Sequence, residues 1–344
     1  MRLFLVTEIA LVIMFAGFAA RSQESVSDQA RSLLEQAHAE QAAAMDAARQ
    51  GDQAAYQRHS NQADDFMAQV RSLFEKAHID DSSNPDDLAV YAGFRKELGD
   101  YDLAERALIR ALSLSPDRAD LWFALGELQA LLGTDGEARA IKSLRKTTAL
   151  DQSPELTAKA HAALGAVFLQ QGLFDFARTE LEAAVDADSG HVGARIALAS
   201  LDVRDGAIGK ASESLDALGE IGPEYMALMQ RTIEKALFDF GESRRWMEDT
   251  ADNHLAYAKL LVRAGRPGDS LLPLERAAEL DPDNYVTWNL LGSMYRGFDR
   301  IEDARRAFAR SLELNPDQPR TRSAMDELNA AVAPKVPLAP LAPQ

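Results

Sequence analysis

Reactive side chains are sparse in this sequence, and their placement limits the reactions they could support. The six histidines, His38, His59, His78, His161, His191 and His254, are scattered, and no two stand at the short spacings that put paired imidazoles on one metal ion. Asp80 and Asp81, like Asp86 and Asp87, are adjacent carboxylates of the kind that could share acid and base duties. They fall in the polar run IDDSSNPDD, a solvated linker with no pocket to shift their acidity. The run from Asp186 through Asp188 to Gly190 is similar to the start of a calcium loop. It lacks the third acidic ligand and the closing glutamate, because Ile196 and Ala197 fill that region, so it reads as an acidic turn. No dinucleotide-binding, Walker, nucleophile-elbow or His-Glu-x-x-His motif occurs. With no cysteine in 344 residues, disulfides, thiolate nucleophiles, thiolate zinc sites, iron–sulfur clusters and cysteine-linked lipid are all excluded. The expectation is a chain with no catalytic centre, no metal and no cofactor.

Composition narrows the partners. Asp and Glu number 54 against 37 Lys and Arg, giving a formal charge of −17. Nucleic-acid binding needs a basic footprint to neutralise phosphates, so no nucleic-acid partner is expected. Hydrophobic residues make up 47% and aromatics only 7%, with alanine abundant, a composition that packs helices closely rather than building sheets.

The chain opens with Arg2 and an apolar stretch, and Gly17-Phe18-Ala19 places small residues where a signal peptidase reads. Residues 1–19 therefore read as a signal peptide, with a mature chain destined for the periplasm or the exterior. The alternative is an N-terminal anchor that associates residues 3–20 with a membrane, a length near the lower limit for spanning. Glu8 interrupts that stretch at a cost of roughly 2.5–3.5 kcal/mol near a helix centre, which favours the cleaved leader.

Internal repetition organises most of the rest. Trp288, Leu291, Gly292 and Tyr295 form a Trp-x-x-Leu-Gly-x-x-Tyr run, followed at fixed offsets by Ala304, Phe308, Ser311 and Pro316. One period earlier stand Tyr257, Ala258, Leu261, Gly265, Ser270, Leu274, Ala277 and Pro282. The same frame fits residues 85–118 through Leu88, Ala92, Gly99, Ala104, Leu108 and Pro116. It fits 119–154 through Trp122, Leu125, Gly126 and Gly133, where the loop 134–139 reads as two residues too long before Ala140, Leu144 and Thr147 resume. It fits 158–191 through Leu164, Gly165, Gly172, Ala177 and Leu181, and 192–223 through Ala199, Gly206, Ala211 and Leu215. Small residues at the eighth and twentieth positions leave room where two helices meet, and large apolar residues at the seventh, eleventh and twenty-fourth fill around them. Glycine near the fifteenth ends the first helix in a left-handed cap.

This pattern resembles the tetratricopeptide repeat, a helix–turn–helix unit of about 34 residues. The resemblance implies an all-α fold, a right-handed α-α superhelix or solenoid of stacked units within 81–318, with 251–284 and 285–318 as its last two full repeats. Residues 224–250 depart from the pattern. They read as a degenerate repeat of two helices, 224–238 and 242–249, and a flexion point. Pro273 should disturb the following helix. Upstream, 20–80 reads as a long helical hairpin, its helices at 27–50 and 52–77, that caps the array, with dimerisation or membrane-proximal docking as the other uses. Residues 319–332 read as a solvating cap helix, and 333–344, with four prolines, as an extended disordered tail.

Family members line a concave groove with first-helix positions, chiefly the second, fifth, ninth, twelfth and thirteenth. Carried over here, that implies an apolar centre of Phe123, Ala162, Ala166, Leu169, Ile196 and Val203, suited to an apolar peptide or an amphipathic helix. The competing reading packs these residues on neighbouring helices. The Lys and Asn arrangement with which some members grip a C-terminal carboxylate is missing. Arg204, Lys259, Arg263 and Arg296 form a basic sector toward the C-terminal half. The functional expectation is a non-enzymatic interaction scaffold of the cell envelope that binds a protein or peptide partner in the groove. Its alternative is a membrane-anchored accessory subunit of an envelope enzyme or secretion complex, as in cytochrome assembly or polysaccharide export. A divergent enzyme hidden in the hairpin is a third reading.

Overall fold

The computed structural model describes residues 25–150, 153–242 and 247–332. The leader, 1–19, and the Pro-rich tail, 333–344, lie outside these residues. The chain divides into two compact units, Met1–Gln152 and Ser153–Gln344, and no strand occurs among the described residues of either.

In the first unit, α1 (Val26–Gln50) and α2 (Gln53–Lys76) form an antiparallel hairpin. Ser25 caps α1 by accepting from the Asp28 N–H, and Asp52 caps α2 by accepting from the Ala55 N–H. The reversal is made by Gly51 at φ 74°, a left-handed conformation glycine adopts without strain. Two helix pairs follow: α3 (Pro85–Glu97) with α4 (Tyr101–Leu114), and α5 (Ala119–Leu131) with α6 (Thr134–Leu150). The hairpin seals onto the first pair through Phe74, whose ring meets those of Tyr91 at 5.2 Å and Phe94 at 5.6 Å. The acidic pair Asp86 and Asp87 is structural: Asp87 accepts from the Ser27 N–H of α1 at 3.0 Å, and Asp86 accepts from Arg118 at 3.0 Å.

One contact recurs along the array. A Cβ placed on Gly126 would lie 2.7 Å from Leu144, one on Gly165 2.6 Å from Leu181, and one on Gly292 2.5 Å from Phe308. The eighth position thus receives the large side chain of the twenty-fourth. The twentieth-position residues Ala104, Ala140, Ala177, Ala211, Ser270 and Ala304 are all fully buried. First helices end on left-handed glycines, except that Asp299 takes the same conformation at φ 59°.

The expected long loop at 134–139 is not formed. Helix α6 starts at Thr134 and runs 17 residues against 14 for α4, so the extra residues lengthen the helix. The added turn presses on the end of α5, and a Cβ on Gly136 would fall 1.9 Å from the Gln129 carbonyl oxygen.

The second unit holds α7 (Pro154–Gln170), α8 (Phe174–Ala187), α9 (Val192–Arg204), α10 (Ile208–Asp216), α11 (Pro223–Glu242), α12 (Ala251–Arg263), α13 (Leu271–Leu280), α14 (Tyr285–Gly297), α15 (Ile301–Leu314) and α16 (Pro319–Val332). Residues 224–250 do not form two helices. One helix, α11, runs through to Glu242, and Met247–Thr250 are not helical. Its buried stripe, Met229, Ile233, Ala236, Leu237 and Phe240, crosses residue 238 without a break in helical spacing. Pro273 acts as expected on its helix. Pro267–Ser270 tighten into a 3₁₀ turn, and α13 begins only at Leu271. Pro273 then sits in the first turn, where its missing N–H leaves no bond unmade.

Helix α11 changes the alternation of the array. It packs along α9 more extensively than α10 does, and α12 is the helix that packs beside α10. Gly206 and Phe240, at the C-terminal ends of α9 and α11, adjoin, so these helices run parallel. Gly265 meets Gln230, so α12 runs antiparallel to α11. Gly209 adjoins Asn253, and Asp216 holds Lys259, so α12 runs parallel to α10. In an unbroken succession of hairpins the first helix of the next pair would be antiparallel to α10. One unpaired helix has therefore shifted the array by half a repeat.

Replacing Gly136 with Ala should cost about 2 kcal/mol or more, because backbone rather than a flexible side chain stands in the way. Gly93→Ala, in a helix interior with open space around it, should gain about 0.5–1 kcal/mol. Urea unfolding of the two variants checks this, and a Gly136→Ala variant as stable as wild type would contradict the close approach.

Candidate partner-binding groove

The repeat faces of the second unit build a groove of about 450 Å³ between the end of α7, the start of α8, α9 and α11. Leu169, Phe174, Leu201, Leu228 and Ala236 supply apolar surface, and Ser200 and Thr232 supply hydroxyls. Its charged lining is Arg204, Arg231, Lys235 and Asp239.

Arg204 is held in place by a chain of ion pairs. Its guanidinium lies 3.6 Å above the Phe174 ring and bonds Asp205 at 3.0 Å. Asp205 is shared with Arg178 at 3.0 Å, and Arg178 reaches the Asp202 carboxylate at 2.8 Å. The Asp202 side chain is only 5% exposed and takes a second cation, Lys210, at 3.3 Å. Burial opposes the charge on Arg178, but its hydrogen bonds to Asp202 and Asp205 prevail and raise its pKa.

The residues expected to line the groove do not all meet. Leu169 lines it, joined by Arg204. Ala162 is half-buried and Ala166 exposed, on α7 outside the lining, and Phe123 is half-buried on α5 of the first unit. Ile196 and Val203 are core residues, 1% and 0% exposed. They are positions five and twelve of α9, and they share a buried cluster with Met229, Ile233, Leu237 and Phe240 of α11. A helix of the chain itself covers the face that the positional rule leaves open.

The basic sector is largely self-neutralised. Lys259 and Arg263 both donate to Asp216, the first at 2.9 Å. They flank a separate apolar cleft of about 220 Å³ with Val262, Leu290 and Met294. Burial works against the Asp216 charge, yet hydrogen bonds from Arg263 and Lys259 hold its pKa below the ordinary carboxylate value. Arg296 is exposed and faces Glu327 at 3.4 Å. Sequence reasoning missed Phe174 on α8, Leu201 on α9 and the whole α11 wall, Leu228, Arg231 and Lys235 among it. The signal for the α11 wall was the run Leu228, Thr232, Lys235, Asp239 at helical spacing, within a segment that reads as broken.

Four of the histidines each face a carboxylate: His38 with Glu97, His59 with Glu40, His161 with Glu180 and His254 with Asp249. His191 instead caps α9, its Nδ1 accepting from the Ala194 N–H at 3.1 Å. Among the described residues no three metal-ligating side chains gather.

Removing Arg178 strands the buried Asp202 with Lys210 alone. Arg178→Met should cost about 2 kcal/mol, and adding Asp202→Leu should recover part of it. Chemical unfolding of the single and double variants measures this, and a single variant of wild-type stability would show the pair to be idle.

Comparison with known proteins agrees with the repeat geometry. Residues 95–141 and 255–319 match the family model described as Tetratricopeptide repeat. The TPR repeat-containing protein YpiA of Bacillus subtilis (strain 168) is 26% identical over 235 residues, covering 65% of this chain and 55% of that protein. The chain thus spans about half the length of this curated relative. Among solved structures, a tetratricopeptide repeat protein from Parabacteroides merdae aligns at 12% identity and TM-score 0.36, over 86% of this chain and 99% of that one. PilF of Pseudomonas aeruginosa aligns at 16% identity and TM-score 0.35, over 72% and 97%. The Cut9–Hcn1 hetero-tetramer of the APC/C aligns at 12% identity and TM-score 0.38, covering 75% of this chain and 45% of that one. Residues 95–141 and 255–319, one segment in each unit, are thus tetratricopeptide-repeat segments, and the same helix-pair contact recurs in the repeats around them.

Proposed function

We propose that this chain is an exported, non-enzymatic scaffold of the bacterial envelope that holds a segment of a partner protein on its first-helix faces. The tetratricopeptide fold is a protein–protein interaction scaffold. The observation that supports groove binding in this chain is α11 itself. Positions five and twelve of α9 accept an amphipathic helix, and beside it Leu169, Leu228 and Arg204 leave a groove that no described residue fills. Export is supported by Arg2, the apolar stretch behind it and the small residues Gly17 and Ala19. An uncleaved leader would convert the same scaffold into a membrane-anchored subunit of an envelope complex. No described helix is long and apolar enough to cross a membrane, and the segment we propose for such an anchor is residues 3–20.

A photo-crosslinking amino acid at Leu169, in protein expressed in its native host, tests this reading. The expected result is an adduct with an envelope protein, carried by a chain whose N-terminus is Ala20 or close to it, and loss of the adduct on adding Leu228→Asp. Adducts formed only from a crosslinker at the outward-facing Leu272, 77% exposed, would place recognition elsewhere. A retained Met1 in the membrane fraction would favour the anchored subunit.

A further inference from the structure

The groove between α7, α8, α9 and α11 has a polarity opposite to that of the chain. The protein carries a formal charge of −17, yet three of the four charged side chains lining this groove are cationic. Arg231 and Lys235 stand one turn apart on the exposed side of α11. Among the described residues neither makes an ion pair, and the one hydrogen bond of Arg231, at 3.4 Å, goes from Nε to the Ala227 carbonyl of its own helix. On the neighbouring helices of the same unit, by contrast, Arg178, Lys210, Lys259 and Arg263 each face a carboxylate. Between the cations lies an apolar floor of Leu169, Leu201 and Leu228, and Leu228 is 37% exposed despite its size.

We infer that this groove binds an acidic peptide segment that inserts an aliphatic or aromatic anchor between Leu169 and Leu228 while its carboxylates face Arg204, Arg231 and Lys235. The inference rests on the groove reading above and adds the chemistry of the partner. An anchor there would remove exposed leucine surface from water. The carboxylates would meet cations confined in a concave, partly apolar site, where opposite charges attract more strongly than on open surface. Arg204 is already stacked and braced by Asp205, so it loses little freedom when an anion arrives. A polyanion without an apolar anchor, such as a nucleic acid, would leave the leucine floor uncovered.

Fluorescence anisotropy with three labelled peptides tests this: a Glu-rich peptide with leucine anchors, the same peptide with Ser for Glu, and the same with Lys for Glu. The Glu peptide should bind most tightly, weaken as salt is raised, and bind about tenfold or more weakly to the Arg231→Glu/Lys235→Glu double variant. Both side chains are exposed, so circular dichroism should be unchanged. Lys146→Glu, on the first unit, should leave binding at the wild-type level. Equal binding of the Ser and Glu peptides, lost only in Leu228→Asp, would overturn the acidic preference and leave the groove standing. Binding that Leu228→Asp does not alter, or no binding by any peptide, would overturn the groove and the acidic preference together. Tighter binding of single-stranded oligo(dT) than of the Glu peptide would also overturn the inference.

Discussion

The packing of a small residue at the eighth position of one helix against a large one at the twenty-fourth position of the repeat sets the spacing on which all else depends. Where Gly126, Gly165 and Gly292 stand, even one added carbon would collide with Leu144, Leu181 or Phe308. Each of those large side chains is buried to within 1% of complete, a stabilisation of about 1.5–3 kcal/mol apiece. The same contact fixes the rotation of the two helices about their axes. It thereby decides which first-helix residues point away from the pair and are left to line a groove. No single hairpin buries both faces, so stability passes from neighbour to neighbour.

That dependence on neighbours explains how the array accommodates an odd helix. Helix α11 has no twenty-fourth-position partner of its own. It buries Met229, Ile233, Leu237 and Phe240 against the outward positions of α9 instead. The second unit exchanges part of its groove for a self-docked helix and gains a new wall carrying Leu228, Arg231 and Lys235. Downstream, the matching of small and large residues resumes at Ala258 with Leu274 and at Gly292 with Phe308. The shift by half a repeat therefore changes direction without changing packing.

Much of the fold was legible in the sequence because the repeat constraint is local. Glycine at the fifteenth position, alanine at the twentieth and proline at the unit's end each answer to a neighbour within the same hairpin. The groove was less legible because it depends on where a non-repeating segment goes. Ile196 and Val203 satisfy the positional rule for lining residues, but that rule carries no information about a helix docking on top of them. Lys259 and Arg263 likewise read as a basic surface, since their partner, Asp216, lies on a helix that becomes adjacent only after the half-repeat shift. At 134–139 the two residues in excess of the period read as a longer loop, whereas they lengthen α6 and Gly136 serves a close helix approach. The period alone cannot say whether an insertion extends a loop or a helix.

The half-repeat shift is decided most directly by engineered disulfides, for which the absence of native cysteine gives a clean background. A Cβ at residue 209 lies 3.9 Å from the Asn253 side chain, at the N-terminal ends of α10 and α12. Gly209→Cys combined with Asn253→Cys should close an intramolecular disulfide under mild oxidation, because Cβ atoms must come within about 3.5–4.5 Å for the bond to form. Mass spectrometry of the oxidised monomer reads the outcome. If that pair stays reduced while Gly209→Cys with Arg263→Cys closes readily, α12 runs antiparallel to α10, the hairpins succeed one another unbroken, and α11 does not occupy the face of α9.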